Sequence, residues 1–308
     1  MSFAEYTDVI KEGDTGILYL NPNTMHAIKV NSTLVDKIGK VVENVFQTTY
    51  GALKVKDLIG KKFGSKVSLS RGWAYILHPT PELWTMTLPH RTQIIYTPDI
   101  SMIILQLDLQ PGCTVIESGT GSGSLTHALA RTVRPHGIVH TFDFHEQRVA
   151  IAKQEFDSHG LSRIVNTQHR DVCENGFGDD LNGCAHAVFL DLPHPWLVVP
   201  YAVQALKNSG GRFCSFSPCI EQVQRTCGAL RDEGFTEIQT MEVLRREFSV
   251  QTRTLPVASL KKDDQEKPST QQFTCCILPA SQPGHTGYLT FASLPPVWAR
   301  LSPSEGVS

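Results

Sequence analysis

The 308-residue sequence predicts a doubly wound α/β fold preceded by a small N-terminal β-domain. Three observations support this prediction: short β-rich runs broken by turns at the start, alternating strand and helix patterns from about residue 100, and a Gly-rich turn after the first of those strands. The 28 Lys and Arg residues and the 30 Asp and Glu residues nearly cancel, which excludes a globally basic nucleic-acid binder. No apolar run reaches the roughly 18 residues of a membrane span, so we expect no membrane association.

We assign residues 1–80 to the small β-domain, because GILYL (16–20), MHAIKV (25–30) and KVSLS (66–70) alternate with turn-forming segments there. The charge of this region is uneven. Between residues 54 and 71 there are six bases and one acid, a net charge of +5 in a chain whose net charge is −2. Such a stretch is either a solvated strand face or a surface that contacts phosphates, and the sequence leaves both interpretations open.

A connector with several prolines, residues 81–99, precedes the alternating region 100–300. SMIILQLDL (101–109) is predicted to be a buried helix with Asp99 as its N-cap. The strand patterns that follow are 113–117, 138–143, 164–172, 186–191, 212–217 and 235–244, and the helices between them are predicted at about 125–132, 146–159, 197–206 and 220–233. This alternation predicts a parallel sheet with helices on both faces.

The last part of the chain carries weaker patterns. FTCCIL (273–278) and GYLTFAS (287–293) are candidates for a terminal strand, whereas the polar, charged segment 259–272 is predicted to be a flexible excursion from the domain. The eight cysteines include no CxxC pair and accompany no export signal, so we expect reduced, mostly buried thiols and no metal site.

The Gly-rich turn is the strongest local signal. ESGTGSGS (117–124) directly follows the strand CTVIE, where glycines let the backbone turn sharply and approach a ligand closely. A dinucleotide-binding fingerprint needs G-x-G-x-x-G, and Ser124 stands where the third glycine belongs. Glu117 suits a ligand that carries an ammonium group better than one that carries a pyrophosphate. S-adenosylmethionine fits this requirement, since it has both an amino group and a positively charged sulfonium.

Acidic residues end the next three strands of the alternation. Asp143 is placed to accept the ribose hydroxyls of a nucleoside, and Arg148 can lie near it on the following helix. Asp171 can accept an adenine amino group while Val172 covers the ring, and Asp191 is held beside the cofactor by a proline-stiffened turn. Asp143 could also be a helix N-cap, and Asp171 alone could be a solvated turn residue. The register of the three acids favours a binding site.

These residues resemble a known family. ESGTGSGS with DLPHPW, RFCSFSPCIEQVQ, GHTGYLTF, HPTPELWT, LPHRTQIIY and DLIGKKFGSKV is similar to the catalytic subunit of the eukaryotic tRNA adenine-N1 methyltransferase, a Rossmann-like class I methyltransferase that methylates adenine 58 of tRNA. The resemblance runs from Phe3 to Phe291 in order. It implies S-adenosyl-L-methionine as cofactor, tRNA as substrate, a non-catalytic RNA-binding partner subunit of related fold, a heterotetramer with two copies of each chain, and a nuclear location.

The resemblance also implies site residues, with Asp191 as the catalytic one. The implied cofactor-binding residues are Ile95, Glu117, Gly119, Gly121, Ser122, Gly123, Ser124, Asp143, Arg148, Asp171, Val172 and Asp191. The implied tRNA-facing residues are Leu20, Asn21, Pro22, Gly72, Trp73, Gln93, Ile94, Tyr96, Thr97, Leu190, Leu192, Pro193, Ser215, Phe216, Ser217, Pro218, Cys219, Ile220, Glu221, Gln222 and His285.

Three other functions remain open on the sequence. One is a methyltransferase of the same class that acts on a protein or a small molecule, which RNA dependence would exclude. Another is a non-catalytic RNA-binding scaffold, which the intact Glu117, glycines, Asp143 and Asp191 disfavour. The third is a nicotinamide oxidoreductase, which the failed dinucleotide fingerprint disfavours.

Overall fold

The computed structural model describes residues 3, 5–257, 270–279, 281 and 285–300. These residues form two compact units. The first comprises the described residues up to Met241 and from Gly287 onward, and the second comprises those from Glu242 to Thr286. The predicted domain boundary at residue 80 lies inside the first unit and stays a prediction. Among the residues described, no helix has the length and apolar character that a membrane crossing requires.

Short antiparallel strands make up the N-terminal part. They are β1 (Thr15–Asn21), β2 (Thr24–Lys29), β3 (Thr33–Val35), β4 (Val41–Glu43), β5 (Val45–Thr48), β6 (Gly51–Lys54), β7 (Lys66–Leu69) and β8 (Gly72–Leu77). A four-stranded sheet has the order β2-β1-β8-β7, while β3–β4 and β5–β6 are separate hairpins. Leu18, Ile28, Leu58 and Ile76 are nearly or fully buried in one hydrophobic cluster beneath the sheet. The β-rich character predicted for this region is therefore present, with more strands than the sequence indicated.

The larger part of the first unit is a seven-stranded sheet flanked by helices. Its strands are β9 (Thr114–Ser118), β10 (Ile138–Asp143), β11 (Val165–His169), β12 (Ala187–Leu190), β13 (Gly211–Ser217), β14 (Thr236–Met241) and, after the hairpin β15 (Ser249–Pro256) and β16 (Thr270–Ile277) of the second unit, β17 (Tyr288–Leu294). The helices are α1 (Pro81–Thr87), α2 (Thr97–Gln106), α3 (Ser124–Val133), α4 (Glu146–Ser158), α5 (Val172–Asn175), α6 (Val199–Ala205) and α7 (Ile220–Asp232). The predicted doubly wound α/β fold is confirmed.

The strand order places a crevice at the centre of this sheet. The order is β11-β10-β9-β12-β13-β17-β14, and every neighbouring pair from β11 to β13 is parallel. The chain winds outward from β9 in one direction through β10 and in the other from β12. Ligands of such sheets bind outside the carboxyl ends of the strands where the winding reverses. Val115, Ile116 and Val188 are fully buried, as expected for strands covered by helices on both faces.

The first helix of the alternating region differs from the prediction. α2 begins at Thr97, and its N-cap is Tyr96. Asp99 is therefore not the N-cap but a buried residue in the first turn, where burial raises its pKa to about 6. Pro98 accounts for the earlier start, because its fixed φ angle and missing N–H favour the beginning of a helix.

The two apolar runs near the end of the chain belong to different sheets. GYLTFAS lies in β17, which is antiparallel to both β13 and β14, whereas FTCCIL lies in β16 and pairs with β15. Of the predicted excursion 259–272, residues 259–269 lie outside the described residues and 270–272 belong to β16. All eight cysteines are free thiols, but Cys214 alone is buried, so the expectation of mostly buried thiols is wrong.

Candidate active site

A cavity of about 240 Å³ opens at the carboxyl ends of β9, β10 and β12. The predicted residues that line it are Gln93, Ile94, Ile95, Glu117, Gly119, Gly121, Ser122, Ser124, Asp143, Arg148, Asp191, Leu192 and Pro193. The sequence analysis missed five further lining residues, Thr92, Thr120, Leu125, Phe144 and Phe189. The cavity therefore brings together the Gly-rich turn, the strand-end acids Asp143 and Asp191, and one side of the connector.

Two glycines of the turn are required by their backbone conformation and by close neighbouring atoms. Gly119 has a φ angle of +100°, and a Cβ atom there would lie 2.4 Å from the carbonyl oxygen of Asp191. Gly121 has a φ angle of +51°, and its Cβ would lie 2.8 Å from Oγ1 of Thr92. Both positions favour glycine through backbone conformation and through space. The turn is thus packed between the loop after β12 and the connector.

Glu117 is a buried carboxylate at the bottom of the cavity. Its side chain is 1% exposed, and Oε2 accepts a hydrogen bond of 2.7 Å from Oγ1 of Thr126. Burial, and to a smaller extent the nearby carboxylates of Asp191 and Asp143, raise the pKa of Glu117 to about 7. A cationic group in the cavity would favour the ionised form of Glu117, because an opposite charge offsets the desolvation of the carboxylate.

The side chain of Asp143, at the end of β10, accepts more hydrogen bonds through Oδ1 than through Oδ2. Oδ1 accepts hydrogen bonds from the backbone N–H of His145 at 2.9 Å and from Nη2 of Arg148 at 2.8 Å. Oδ2 accepts from the backbone N–H of Gly121 at 3.2 Å. Because a carboxylate oxygen has two acceptor sites, Oδ2 retains capacity for a further donor such as a hydroxyl group of a ligand. Arg148 is thereby fixed beside the cavity.

Phe144 is an aromatic wall that the sequence analysis did not select. It directly follows Asp143, lines the cavity, and is 59% exposed. The guanidinium carbon of Arg148 lies 5.1 Å from the centre of its ring, within cation–π distance. An exposed ring beside Asp143, the acid predicted to bind a ribose, is a suitable surface for stacking a nucleobase. Its position directly after a strand-end acid is the signal that could have identified it.

Asp191 follows β12, and its backbone N–H donates to the carbonyl oxygen of Ser118 at 2.8 Å. Burial raises the pKa of its side chain to about 6, so the carboxylate is mostly ionised at neutral pH. The next turn is tied to α7, because Nε2 of Gln222 donates to the carbonyl oxygen of Pro193 at 2.9 Å. The structure therefore places the predicted catalytic acid in the same cavity as Glu117 and Asp143.

Three predicted cofactor residues do not line the cavity in this structure. Gly123, with a φ angle of +77°, precedes α3 and faces Phe156. Asp171 is exposed and caps α5, since its Oδ1 accepts the backbone N–H of Cys173 at 2.9 Å. Val172 is buried in the core of the sheet. Their roles in cofactor binding stay predictions.

The predicted tRNA-facing residues differ widely in exposure. Exposed ones are Pro22, Gly72, Trp73, Gln93, Tyr96, Pro193, Pro218, Cys219, Ile220 and Glu221, half-buried ones are Leu20, Asn21, Thr97, Leu192, Phe216 and Gln222, and buried ones are Ile94, Leu190, Ser215 and Ser217. His285 is exposed and belongs to the second unit. The bases between residues 54 and 71 are all exposed, and Lys56 contacts Glu43 at 2.5 Å. A contact through a buried side chain would require local rearrangement.

One cluster beside the cavity has donor atoms of the kinds that bind metals. Atoms of His127, Glu155 and His159 lie within 4.8 Å of one another. Nδ1 of His127 is 2.6 Å from the carbonyl oxygen of Gly123, which assigns the proton to Nδ1. Nε2 of His127 is then the acceptor for Nδ1–H of His159 at 2.9 Å. Burial lowers the pKa of both histidines, to about 4 and about 2, so the two rings are neutral and share this hydrogen bond, while Glu155 pairs with Arg91.

Known proteins share both the sequence and the fold. The family described as tRNA methyltransferase complex GCD14 subunit matches residues 72–276. A tRNA (adenine(58)-N(1))-methyltransferase catalytic subunit from Dictyostelium discoideum is 40% identical over 320 residues, covering 92% of this chain and 96% of that protein. The corresponding subunit from Cryptococcus neoformans is 47% identical over 247 residues, 79% of this chain and 54% of that protein, so the chain spans about half of that relative.

The structural comparison defines the class of protein. A SAM-dependent O-methyltransferase from Thermotoga maritima superimposes with a TM-score of 0.74 at 27% identity, covering 95% of this chain and 97% of that one. The parallel sheet, its Gly-rich turn and its strand-end acids are those of a class I S-adenosylmethionine-dependent methyltransferase fold. Within that class, the chain belongs to the family of tRNA (adenine(58)-N(1))-methyltransferase catalytic subunits.

Proposed function

We propose that this chain is the catalytic subunit of a complex that transfers a methyl group from S-adenosylmethionine to N1 of adenine 58 in tRNA. The observation that carries the proposal is the convergence of Glu117, Asp143 and Asp191 on one cavity behind the Gly-rich turn, in a chain of this family. The intact cavity also argues against a non-catalytic scaffold.

The residues present fit S-adenosylmethionine. Gly119 and Gly121 line the cavity without side chains, so a ligand can approach the backbone of the turn, and the buried carboxylate of Glu117 suits an ammonium group. Oδ2 of Asp143 has acceptor capacity for the ribose, and Phe144 offers an aromatic face to the adenine. When bound, the cofactor supplies the electrophilic methyl group.

The chain's own contribution is to orient and to stabilise charge. Adenine N1 has a lone pair and needs no strong base, so alignment of the two reactants is the main requirement. Methylation places positive charge on the adenine ring and acidifies its exocyclic amine. We assign to Asp191 the acceptance of a hydrogen bond from that amine. Its carboxylate is ionised above pH about 6, and a preorganised partner of this kind is typically worth about 10²–10³ in rate.

An RNA substrate needs more contact surface than the cavity provides. The adenine must leave its stack to enter the pocket, and the exposed bases between residues 54 and 71 offer one region for phosphate contacts. We infer that a non-catalytic partner subunit supplies further RNA contacts. The matching family is described as a subunit of a tRNA methyltransferase complex, which supports this inference. We propose that the complex contains two copies of each chain and that it acts in the nucleus.

Nucleoside mass spectrometry tests the proposal directly. The full chain, co-expressed with its partner subunit, is incubated with S-adenosylmethionine and unmodified tRNA, beside the Asp191→Ala complex. We expect 1-methyladenosine with the unaltered complex and a rate loss of about 10²–10³ in the variant. Asp232→Ala, an exposed acid at the end of α7, is the matched control and should leave the rate unchanged.

A second tRNA, with guanine in place of adenine 58, tests the position. Product with the first tRNA and none with the second supports the proposed site of methylation. No 1-methyladenosine despite measurable cofactor binding would contradict the proposed acceptor and favour a methyltransferase of another substrate. Full activity of Asp191→Ala would contradict the role given to that residue alone.

A further inference from the structure

The connector forms one wall of the cofactor cavity. Hydrogen bonds with two serine side chains of the Gly-rich turn hold this wall in place. Residues 92–95 line the cavity. Oγ of Ser122 accepts the backbone N–H groups of Arg91 at 2.9 Å and of Thr92 at 3.1 Å. Oγ of Ser124 donates to the carbonyl oxygen of Ile95 at 2.9 Å. These two side chains are therefore directed at the connector, and they fix both ends of the wall.

A mostly buried ion pair anchors the same segment from the other side. Nη1 of Arg91 donates to Oε2 of Glu155 at 2.9 Å, and the two side chains are only 14% and 13% exposed. The pair joins the connector to α4, 64 residues away in sequence. Within the described residues, Nε and Nη2 of Arg91 and Oε1 of Glu155 are buried with no hydrogen-bond partner. Each charged group thus relies on the other for its compensation.

The end of α4 is in turn fixed against the Gly-rich turn. A Cβ at Gly123 would lie 3.1 Å from the ring of Phe156, so helix and turn are in close contact. His159, at the end of α4, hydrogen-bonds through His127 to the carbonyl oxygen of Gly123. α4 therefore contacts the turn through Phe156 and His159 and the connector through Glu155.

We propose that Arg91 and Glu155 are positioning residues for the cofactor site, whose ion pair holds the connector wall against the Gly-rich turn. The inference rests on the proposed function, since it takes the cavity to be the cofactor site. Neither side chain of the pair is proposed to touch the cofactor. Loss of either side chain removes the link between the connector and α4, and it leaves the other charge without compensation. The backbone of Arg91 and Thr92 can then move away from Ser122.

The test measures cofactor affinity by isothermal titration calorimetry, using the full chain in complex with its partner subunit. Arg91→Met is expected to raise the Kd for S-adenosylmethionine about tenfold, roughly the effect of losing one hydrogen bond between the displaced wall and the cofactor. Arg91→Lys keeps a donor and the charge for the single contact with Oε2 and should retain most of the affinity. Steady-state kinetics should show a raised KM for the cofactor, with kcat at saturation and KM for tRNA nearly unchanged.

Arg131→Met is the matched control. It breaks an ion pair of similar length, 2.6 Å from Nη2 to Oε1 of Glu82, that is more exposed and joins α3 to α1. Its Kd should equal that of the unaltered protein. Thermal unfolding, monitored by circular dichroism, verifies that each variant is folded at the temperature of the titration. If Arg91→Met does not fold, Glu155→Gln, which keeps an acceptor but loses the charge, takes its place.

The outcomes separate the two proposals. Folded Arg91→Met or Glu155→Gln with an unchanged Kd overturns the positioning role and leaves the proposed function standing. An equal rise of Kd in Arg131→Met also overturns it, because any ion pair would then have the same effect. Absence of cofactor binding by the unaltered complex overturns the proposed function and this inference with it.

Discussion

Replacing Gly119 with alanine would place a Cβ atom too close to the backbone of Asp191 in the candidate site. The added Cβ would lie 2.4 Å from the carbonyl oxygen of Asp191, and Cβ contacts under 3.0 Å essentially never occur. The Gly-rich turn and the loop after β12 must therefore separate by at least 0.6 Å, the difference between these two distances. Because the neighbouring atoms are backbone, no side-chain rotation can relieve the contact. Asp191 moves relative to the cavity as a result.

The expected loss of activity follows from that displacement. Since a misplacement of about 1 Å costs up to about 10²-fold in rate, a movement of this size should lower kcat/KM by roughly 10-fold to 10²-fold, or about 1.4 to 2.7 kcal/mol. The left-handed backbone adds a separate cost of about 1–2 kcal/mol to folding, because Cβ is unfavourable there. Activity is measured as 1-methyladenosine formed in tRNA, and stability as the midpoint of thermal unfolding.

Gly112→Ala separates these two effects. Gly112 has a φ angle of +94°, close to the +100° of Gly119, but nothing lies within 4 Å of its Cβ position. Both variants should therefore unfold at a lower temperature, while Gly112→Ala should keep nearly full kcat/KM. If Gly119→Ala, folded at the assay temperature, matches Gly112→Ala in kcat/KM, the contact with Asp191 does not hold the site in place and the reasoning is refuted.

Two further predictions concern cofactor affinity. Burial raises the pKa of Glu117 to about 7, and the ammonium group of the cofactor should favour the ionised form. The Kd for S-adenosylmethionine should therefore fall as the pH rises from about 5.5 to 7. Titrations in buffers of different ionisation enthalpy should detect proton release, and an equally steep profile in Glu117→Gln would contradict this assignment. Phe144→Ala should weaken binding about tenfold, as expected for a lost stacking partner of about 1–3 kcal/mol. Phe248→Ala removes an equally exposed ring, 58% against 59%, and should leave the Kd unchanged, whereas equal effects would argue against stacking.

The same raised pKa has the opposite consequence for the stability of the unliganded chain. The unfolded chain releases the proton of Glu117 near its ordinary pKa of 4.5, whereas the folded chain retains it until about pH 7. Its contribution to the free energy of unfolding is therefore greatest below pH 4.5 and falls as the pH rises through this window.

The central sheet and much of the site could be predicted from the sequence because their signals are local. Buried parallel strands appear as short apolar runs, as in AVFL of β12, and the acid that ends each strand must lie at the same edge of the sheet. The glycines at 119 and 121 indicated a sharp turn, and both have a positive φ angle and no room for a Cβ atom. The family resemblance added the catalytic role of Asp191 and the connector residue Ile95, which periodicity alone could not indicate.

Other features depend on contacts that no local pattern contains. The hairpin strands β3, β4 and β5 are mostly exposed, so they lack the alternation of apolar and polar residues by which a half-buried strand is recognised. The ion pair between Arg91 and Glu155 joins segments 64 residues apart. Ser122 and Ser124 were selected as cofactor contacts, and the direction of their hydroxyls toward the connector depends on the folded path of residues 91–95.

The position of β17 sets the order in which the domain can be completed during synthesis. β14 hydrogen-bonds to β17 in the described sheet, yet the chain passes through the whole of Glu242–Thr286 before β17 is made. Every residue that lines the cofactor cavity lies before residue 194 and is therefore available earlier. A nascent chain can thus assemble its cavity while one edge of β13 remains unpaired. Until β17 is synthesised, that edge presents unpaired backbone groups with which another strand could pair wrongly.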